Sequence, residues 1–475
     1  MLTQWNHLYL ARICLQTLTP LSIQTGQAQQ NFDTSLVRDA NGLPTLPSTS
    51  IRGVLRHLFQ AQFGEQQTHQ LFGYARTNQA EPEDQTSRIQ ISWGLIHDKH
   101  NRPVEGLVYP SEDADFLDQL TQSQPIKRER VRLNHKGCAE DKGKFDITAC
   151  PAGARFTFEL KYWSDTDQDD CWRQLLDLLQ QPQFRLGHST RSGFGAFEVQ
   201  AMEQHQFDFT SLESVARWQK LARSLTITQP EAGQINTAKH SITHKTISLN
   251  LKAEGFVRIG GGDVPMHETS DPADLRMQSE SVIQWVNDQG RFSKRRPLIS
   301  ASAIKGALAH RMLYHCNRLN GKFADQLNQS EWEKHTQRQV SNELVKLLGA
   351  ANNDNDTDTH NDGQAGHLYL NDLYLSDEVS TTQLWHNRID RFTGGVIDGA
   401  LFTEEVLFEP ELAFDLTITN FAGLSPNARQ ALKATLDDLC SGRLALGAGG
   451  SRGLGSFTGT HSLSDQPVTA IAGEC

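Results

Sequence analysis

The sequence lacks any apolar run near the 18 residues that would read as a membrane-spanning helix. Its opening, Met1-Leu2-Thr3-Gln4-Trp5-Asn6-His7, has no basic stretch ahead of an apolar core, so no secretory signal is expected. Cysteine is sparse, and the seven present (Cys14, Cys138, Cys150, Cys171, Cys316, Cys440, Cys475) are scattered and odd in number. That usage fits a reducing cytoplasm better than a disulfide scaffold. Basic charge is also short: 45 Lys and Arg against 56 Asp and Glu leave a formal net charge of -11. A histone-like polybasic binder is excluded, whereas a nucleic-acid protein with its bases gathered on one face is not. With 475 residues, 37% of them hydrophobic, the chain is long enough for two to four domains with real cores.

What the sequence does have is a near-copy of itself. Leu46-Pro47-Ser48-Thr49-Ser50-Ile51-Arg52-Gly53 matches Ile299-Ser300-Ala301-Ser302-Ala303-Ile304-Lys305-Gly306, with Gly306 lying 253 residues after Gly53. Leu186-Gly187-His188-Ser189-Thr190-Arg191-Ser192-Gly193-Phe194-Gly195 matches Leu446-Gly447-Ala448-Gly449-Gly450-Ser451-Arg452-Gly453-Leu454-Gly455, at an offset of 260. Two matches in the same order at nearly equal offsets indicate a tandem duplication.

The periodicity predicts the same elements in each copy. Strands are expected over 7–23 and 248–259, each ending at glycine, in Gly26 and Gly260-Gly261-Gly262. Helices follow over 48–63, capped by Ser48 or Ser50, and from Ser302 past Arg311. Next come strands at 89–96 and 367–375, basic segments, strands at 154–163 and 411–419, helices at 169–181 and 426–439, a glycine loop and a last strand. This β-α-β-β-α-β order gives an α+β fold class: two ferredoxin-like (RRM-like) domains in tandem. The expected division is a first domain over 1–225, a polar linker over 226–245 and a second domain over 246–475. The second copy carries about 18 extra residues around 267–288, because the offset rises from 235 at Gly26 to 253 at Gly53. An extra helix is expected over 210–225, and an Asn/Asp-rich loop over 352–366.

Three features carry chemistry. Glycine loops containing Arg191 and Arg452 let backbone N–H groups approach phosphates while the arginine neutralises charge. The bland alternative is a tight turn between helix and strand. Neither loop is a Walker motif, since no Gly-Lys-Ser/Thr follows the glycines. A basic segment, Lys127-Arg128-Glu129-Arg130-Val131-Arg132, sets Arg128, Arg130 and Arg132 on one face of a strand, with His135, Lys136, Lys142 and Lys144 beyond. Its counterpart holds Arg388, Arg391 and Phe392. Such a cationic hairpin can grip a phosphate chain and wedge between bases, or simply be a solvated edge. Third, Asp33 in a loop beside basic groups could hold a divalent metal or orient a ribose 2′-hydroxyl, although most loop aspartates only cap turns.

Other features are decoys. Asp354-Asn355-Asp356-Thr357-Asp358 begins like a calcium loop but has Thr359 where glycine is needed and Ala365 where the bidentate glutamate belongs. His135, Cys138 and Cys150 offer three zinc ligands without a paired C-x-x-C, so zinc is not expected. His188 is a possible general acid for RNA cleavage, but Ala448 stands at the matching position.

Taken together these residues resemble the CRISPR RAMP superfamily, and most of all two fused backbone subunits of type III effector complexes. The likeness lies in Gly26, Asp33, Asp39, Gly42-Leu43-Pro44 and Pro47-Ser48-Thr49-Ser50-Ile51-Arg52-Gly53, then in Lys305-Gly306, Ile389-Asp390-Arg391-Phe392-Thr393-Gly394 and Ala400-Leu401-Phe402, and in both glycine loops. The first copy departs from the family's thumb motif, reading Val131-Arg132-Leu133-Asn134-His135-Lys136-Gly137.

The resemblance implies a guide-binding subunit with β-hairpin thumbs that splay a guide–target duplex. Its partners would be guide crRNA, target RNA and other CRISPR effector subunits, in the cytoplasm and without a membrane. Asp33 would promote cleavage of target RNA by its own 2′-hydroxyl with a divalent metal, Mg2+ or Mn2+. The second copy has no aspartate at the matching spacing; Asp271, Asp274, Glu280 and Asp288 are its candidates. RNA contacts are expected from Arg52, Arg128, Arg130, Arg132, Lys136, Gly187, Arg191, Gly193 and Gly195. In the second copy they are expected from Lys305, Arg388, Arg391, Phe392, Gly447, Arg452, Gly453 and Gly455. Base pairing would select sequence, so no base-reading code is needed. Two other readings stay open: a non-catalytic structural or cap subunit, and a guide-processing ribonuclease using His188.

Overall fold

A computed structural model describes residues 5–25, 35–76, 84–108, 114–122, 125–133, 138–229, 231–232, 244–266, 271–326, 328, 342–350 and 363–463. The chain divides into two units. Unit 1 takes in Met1–Thr243 and also Ser279–Pro297; unit 2 takes in His244–Gln278 and Leu298–Cys475.

Unit 1 is built on an antiparallel sheet whose central strand, His7–Thr17, lies between Arg155–Ser164 and Phe197–Asp208, with Ile89–Ile91 at the outside of Arg155–Ser164. Unit 2 repeats the order with Leu368–Tyr369, Glu411–Ile418, Lys245–Ala253 and Phe457–His461. In sequence order both sheets read 2-3-1-4, the arrangement of a split βαβ domain. The duplication extends to register. Ile13 faces Phe158 as Leu249 faces Phe414, and Thr17 faces Phe197 as Ala253 faces Phe457. A one-residue slip would turn each apolar set out of its core, so this agreement fixes which positions correspond.

Each sheet is covered by two helices. Ser48–Phe63 buries Ile51, Leu55, Leu58 and Phe59, and Ala301–Leu319 buries Ile304, Leu308, Met312 and Cys316, a helical spacing in both. Leucine, isoleucine and phenylalanine side chains buried this way contribute about 1.5–3 kcal/mol each. Asp170–Leu178 and Pro426–Cys440 complete the helical layers, capped by Asp169 on the Cys171 N–H at 2.9 Å and by Ser425 on the Ala428 N–H at 3.1 Å.

Several expected boundaries shift for local reasons. The opening strand stops at Thr17, shortly before Pro20, which has no N–H to donate. The strand expected over 248–259 breaks after Ala253 because Gly255 turns at φ +88, and Phe256–Val257 pairs with Phe402–Phe408 instead. The first helix begins without a serine cap; the Ser50 N–H bonds the Pro47 carbonyl at 3.0 Å. In its counterpart Asp372 accepts the Ala301 N–H at 2.8 Å. The expected extra helix is present as Leu212–Lys220.

The unforeseen element is the segment Ser279–Pro297. It carries the hairpin Ile283–Val286/Gln289–Phe292, and though numbered in the second half it packs in unit 1. The Ile283 N–H bonds the Ala152 carbonyl at 2.9 Å, and the Trp285 indole N–H bonds the Gly153 carbonyl at 2.7 Å. Gly153 is required here, because a Cβ would lie 1.9 Å from the Ile283 carbonyl oxygen.

Candidate nucleic-acid interface

The two glycine loops are the same structure. Gly187, Ser189, Gly193 and Gly195 have positive φ, and so do Gly447, Gly449, Gly453 and Gly455. Each loop holds one short 3-10 turn, Thr190–Ser192 or Gly450–Arg452. The His188 N–H bonds the Ser22 carbonyl at 2.7 Å, as the Ala448 N–H bonds the Arg258 carbonyl at 2.8 Å. Gly187 and Gly447 are close-packed there: a Cβ would meet those carbonyl oxygens at 2.3 and 2.4 Å. Gly195 and Gly455 likewise face Leu186 and Leu446 carbonyls at 2.0 and 2.1 Å. Packing therefore accounts for these four glycines. With the loops in register, Arg191 corresponds to Ser451 and Arg452 to Ser192, so the two arginines leave the loop from adjacent positions.

In unit 1 the loop meets the base of a hairpin formed by Ile126–Leu133 and Ala139–Ala149. Phe194 is buried with Ile126, Ile147 and Ala149, joining loop to hairpin. Arg128 and Arg130 share a face, the register shifts between Val131 and Leu133, at Arg132, and the series runs from interior to solvent. Arg128 is 1% exposed, Arg130 half-buried and Arg132 exposed. Arg128 is thus not at an RNA surface. Its guanidinium forms a two-point ion pair with Glu280, with Nη2 to Oε2 at 2.8 Å and Nε donating to Oε1. It also lies 4.7 Å from the Phe194 ring centre, as does that of Arg130, which reaches the Ser189 hydroxyl at 3.3 Å. Glu129 sits between Lys144 at 2.7 Å and Lys127 at 3.2 Å, and these two hold its carboxyl below the ordinary range. Val131, Leu133 and Phe145 are exposed along the hairpin.

Asp33, Gly26, His135 and Lys136 lie outside the described residues. The base of the Asp33 loop is described. Thr25 N–H bonds the Ser35 carbonyl at 3.1 Å and Val37 N–H bonds the Ile23 carbonyl at 2.8 Å, closing an antiparallel stem. Ser22, one residue before it, bonds the glycine loop through its carbonyl and donates its hydroxyl to the hairpin carbonyl of Thr148 at 2.8 Å. Stem, glycine loop and hairpin therefore spring from one point. His188 is here too, its Nδ1 2.8 Å from the Ser189 hydroxyl, and partial desolvation and Arg130 both lower its pKa. Cys150 is in the core, where burial pushes its thiol up to about 12.

Unit 2 has the corresponding hairpin, Thr381–His386 with Phe402–Phe408. Its tip is an ordered turn in which Asp390 accepts the Phe392 and Thr393 N–H groups, both at 2.8 Å. Those two bonds hold the Asp390 carboxyl below the ordinary range. The turn presents Phe392, 99% exposed, with Arg388 and Arg391 exposed beside it and Ile389 bridged to Val396. At the hairpin base Glu404, fully buried, bonds Arg258 Nε and Arg452 Nη2, both at 2.9 Å, with His386 Nε2 at 2.7 Å. Burial pushes the Glu404 carboxyl up, but Arg258 and Arg452 outweigh it and hold it below the ordinary range. The sequence pattern had no signal for this cluster, whose members are far apart in the chain.

The second-copy carboxylates separate. Glu280 is buried against Arg128 in unit 1, which corrects its reading as a cutting group: an ion-paired interior carboxylate cannot reach RNA. Asp288 also belongs to unit 1, in a hairpin turn 3.1 Å from Asn101 Nδ2. Asp274 caps the Phe402–Phe408 strand, accepting the Thr403 N–H at 2.9 Å and its hydroxyl at 3.2 Å. Asp271 is exposed. Arg52, in the first helix, donates to the Phe72 carbonyl, and Lys305 is half-buried at the matching turn. Among the described residues no three His, Cys, Asp or Glu side chains gather as a metal site. Nor is any helix among them long and apolar enough to cross a membrane.

Two antiparallel βαββαβ domains, each with a glycine loop wedged against the base of a hairpin, define a tandem ferredoxin-like protein. The chain belongs to the RAMP superfamily, whose family model matches residues 14–198 and 250–458, one region for each copy. No curated protein matches it. Among solved structures, a chain from the cryo-EM structure of the type III-B Cmr-beta bound to cognate target RNA is similar at 16% identity and TM-score 0.29. That match covers 42% of this chain and 60% of the other.

Proposed function

We propose that the chain is a backbone subunit of a type III CRISPR effector complex, binding guide crRNA with both units and cutting target RNA at unit 1. The observation that carries this reading is the point at Ser22 where the Asp33 stem, the glycine loop and the hairpin meet. Arg130 and Arg132 face the guide phosphates, and the hairpins act as thumbs that part successive base pairs. Its other partners are neighbouring effector subunits, and its compartment is the cytoplasm.

Cleavage follows from the substrate's own chemistry. The ribose 2′-oxygen attacks the adjacent phosphorus, the bond to the 5′-oxygen breaks, and a cyclic phosphate and a 5′-hydroxyl result. Asp33 orients that 2′-hydroxyl and helps hold a divalent cation, Mg2+ or Mn2+. One loop carboxylate suits such a hard ion, which keeps most of its waters. The cation supplies neutralisation of charge on the phosphate. Unit 2 holds guide without cutting, a reading favoured by the engagement of Asp274 in strand capping.

The test is Asp33→Ala in the assembled complex with labelled target RNA. The expected outcome is loss of cleavage with guide binding retained. Unchanged cleavage at every position removes the catalytic reading and leaves a structural subunit.

A further inference from the structure

We propose that Glu280 is a positioning residue for RNA binding by unit 1, acting as a latch that fixes the thumb against the glycine loop through Arg128. The inference rests on the RNA-binding reading above and deepens it. Three segments meet at Arg128: its own hairpin strand, the glycine loop through Phe194 at 4.7 Å, and the Ser279–Pro297 segment through Glu280 at 2.8 Å. Arg128 and Glu280 are 1% and 5% exposed. Moving the hairpin away would take Arg128 from Glu280 and leave that buried carboxylate uncompensated, a cost an exposed pair would not carry. The two-point geometry also fixes angle as well as distance.

Unit 2 reaches the same junction with the roles exchanged. There the hairpin supplies the carboxylate, Glu404, and the ring, Phe402, while the glycine loop supplies the arginine, Arg452, 5.9 Å from that ring. In unit 1 the hairpin supplies the arginine and the loop the ring. The carboxylate has no local source and comes from the second half of the chain. Both junctions set a buried carboxylate on an arginine beside an aromatic ring, built from different residues, though Arg452 is 41% exposed where Arg128 is buried, which indicates that the junction itself must be held. Arg128 is thereby committed to geometry rather than to phosphate.

The test compares the full chain with Glu280→Gln and with the exchanged pair Arg128→Glu/Glu280→Arg, by hydrogen exchange and by affinity for a single-stranded guide RNA. Glu280→Gln is expected to speed exchange in residues 126–133 and 143–149 without changing 381–386 and 402–408, and to weaken RNA binding by roughly fivefold or more. The exchanged pair is expected to restore both. Unchanged exchange and affinity in a folded Glu280→Gln protein overturns the latch, as does faster exchange spread equally over both units. If Glu280→Gln does not fold, the exchanged pair decides: folded and RNA-binding supports the latch, folded without RNA binding overturns it. If the wild-type chain binds no RNA, the proposed function fails, while the exchange data still judge the latch.

Discussion

At the scale of single residues, what an arginine or aspartate does here depends on its depth along a hairpin more than on its place in a motif. Arg128, Arg130 and Arg132 alternate as a binding face should, and that alternation is legible in the sequence. Which end of the face is buried is not, because it depends on Phe194 and Glu280, 66 and 152 positions away. Phe392 is the opposite case. Asp390 shapes the turn so that the ring stands 99% exposed, with no internal packing to explain its presence. Replacing Phe392 with Ala is expected to leave the thermal midpoint unchanged. It should weaken RNA binding by about 1–3 kcal/mol, the worth of one stacked base, as titration with labelled guide RNA would measure.

At the scale of elements, the glycine loops allow a sharper comparison. Gly453 and Gly455 both have positive φ, +85 and +78, but a Cβ on Gly453 meets nothing within 4 Å, whereas one on Gly455 lies 2.1 Å from the Leu446 carbonyl oxygen. Gly453→Ala should cost about 1 kcal/mol of backbone strain and keep the loop in place. Gly455→Ala must also push the loop off Leu446, so the larger drop in chemical-denaturation midpoint belongs to it. The element order, both core helices and both loops were readable because helix period and glycine constraint are local signals. The breaks after Thr17 and Ala253 also have local causes, in Pro20 and Gly255, but the apolar alternation running on past both hides them. The 18-odd extra residues of the second copy read as a loop because their partners are distant in the chain. Nothing near them in the sequence says that Trp285 will cap Gly153.

At the scale of the whole molecule, the duplicated halves are equal in plan but not in composition, because unit 1 includes Ser279–Pro297. Trp285 anchors that segment by its bond to Gly153, by Arg155 stacked 4.4 Å from its ring and by Phe116 at 6.5 Å. Trp285→Ala should cost unit 1 about 3 kcal/mol. Hydrogen exchange should show the loss in the strands of unit 1 with those of unit 2 unaffected. The tandem arrangement was legible from two short matches and the family from motifs such as Ile389–Gly394, whereas this transfer of a segment was not, as it leaves no repeat to find. The borrowed segment also sets a timetable for synthesis. A nascent chain has made the rest of unit 1 by Thr243, but Pro297 comes 54 residues later. At ribosomal speeds of roughly 5–20 residues per second, the first domain waits about 3–11 s for its missing piece. During that interval Glu280, the carboxylate that pairs with Arg128 in the finished unit, has yet to be made.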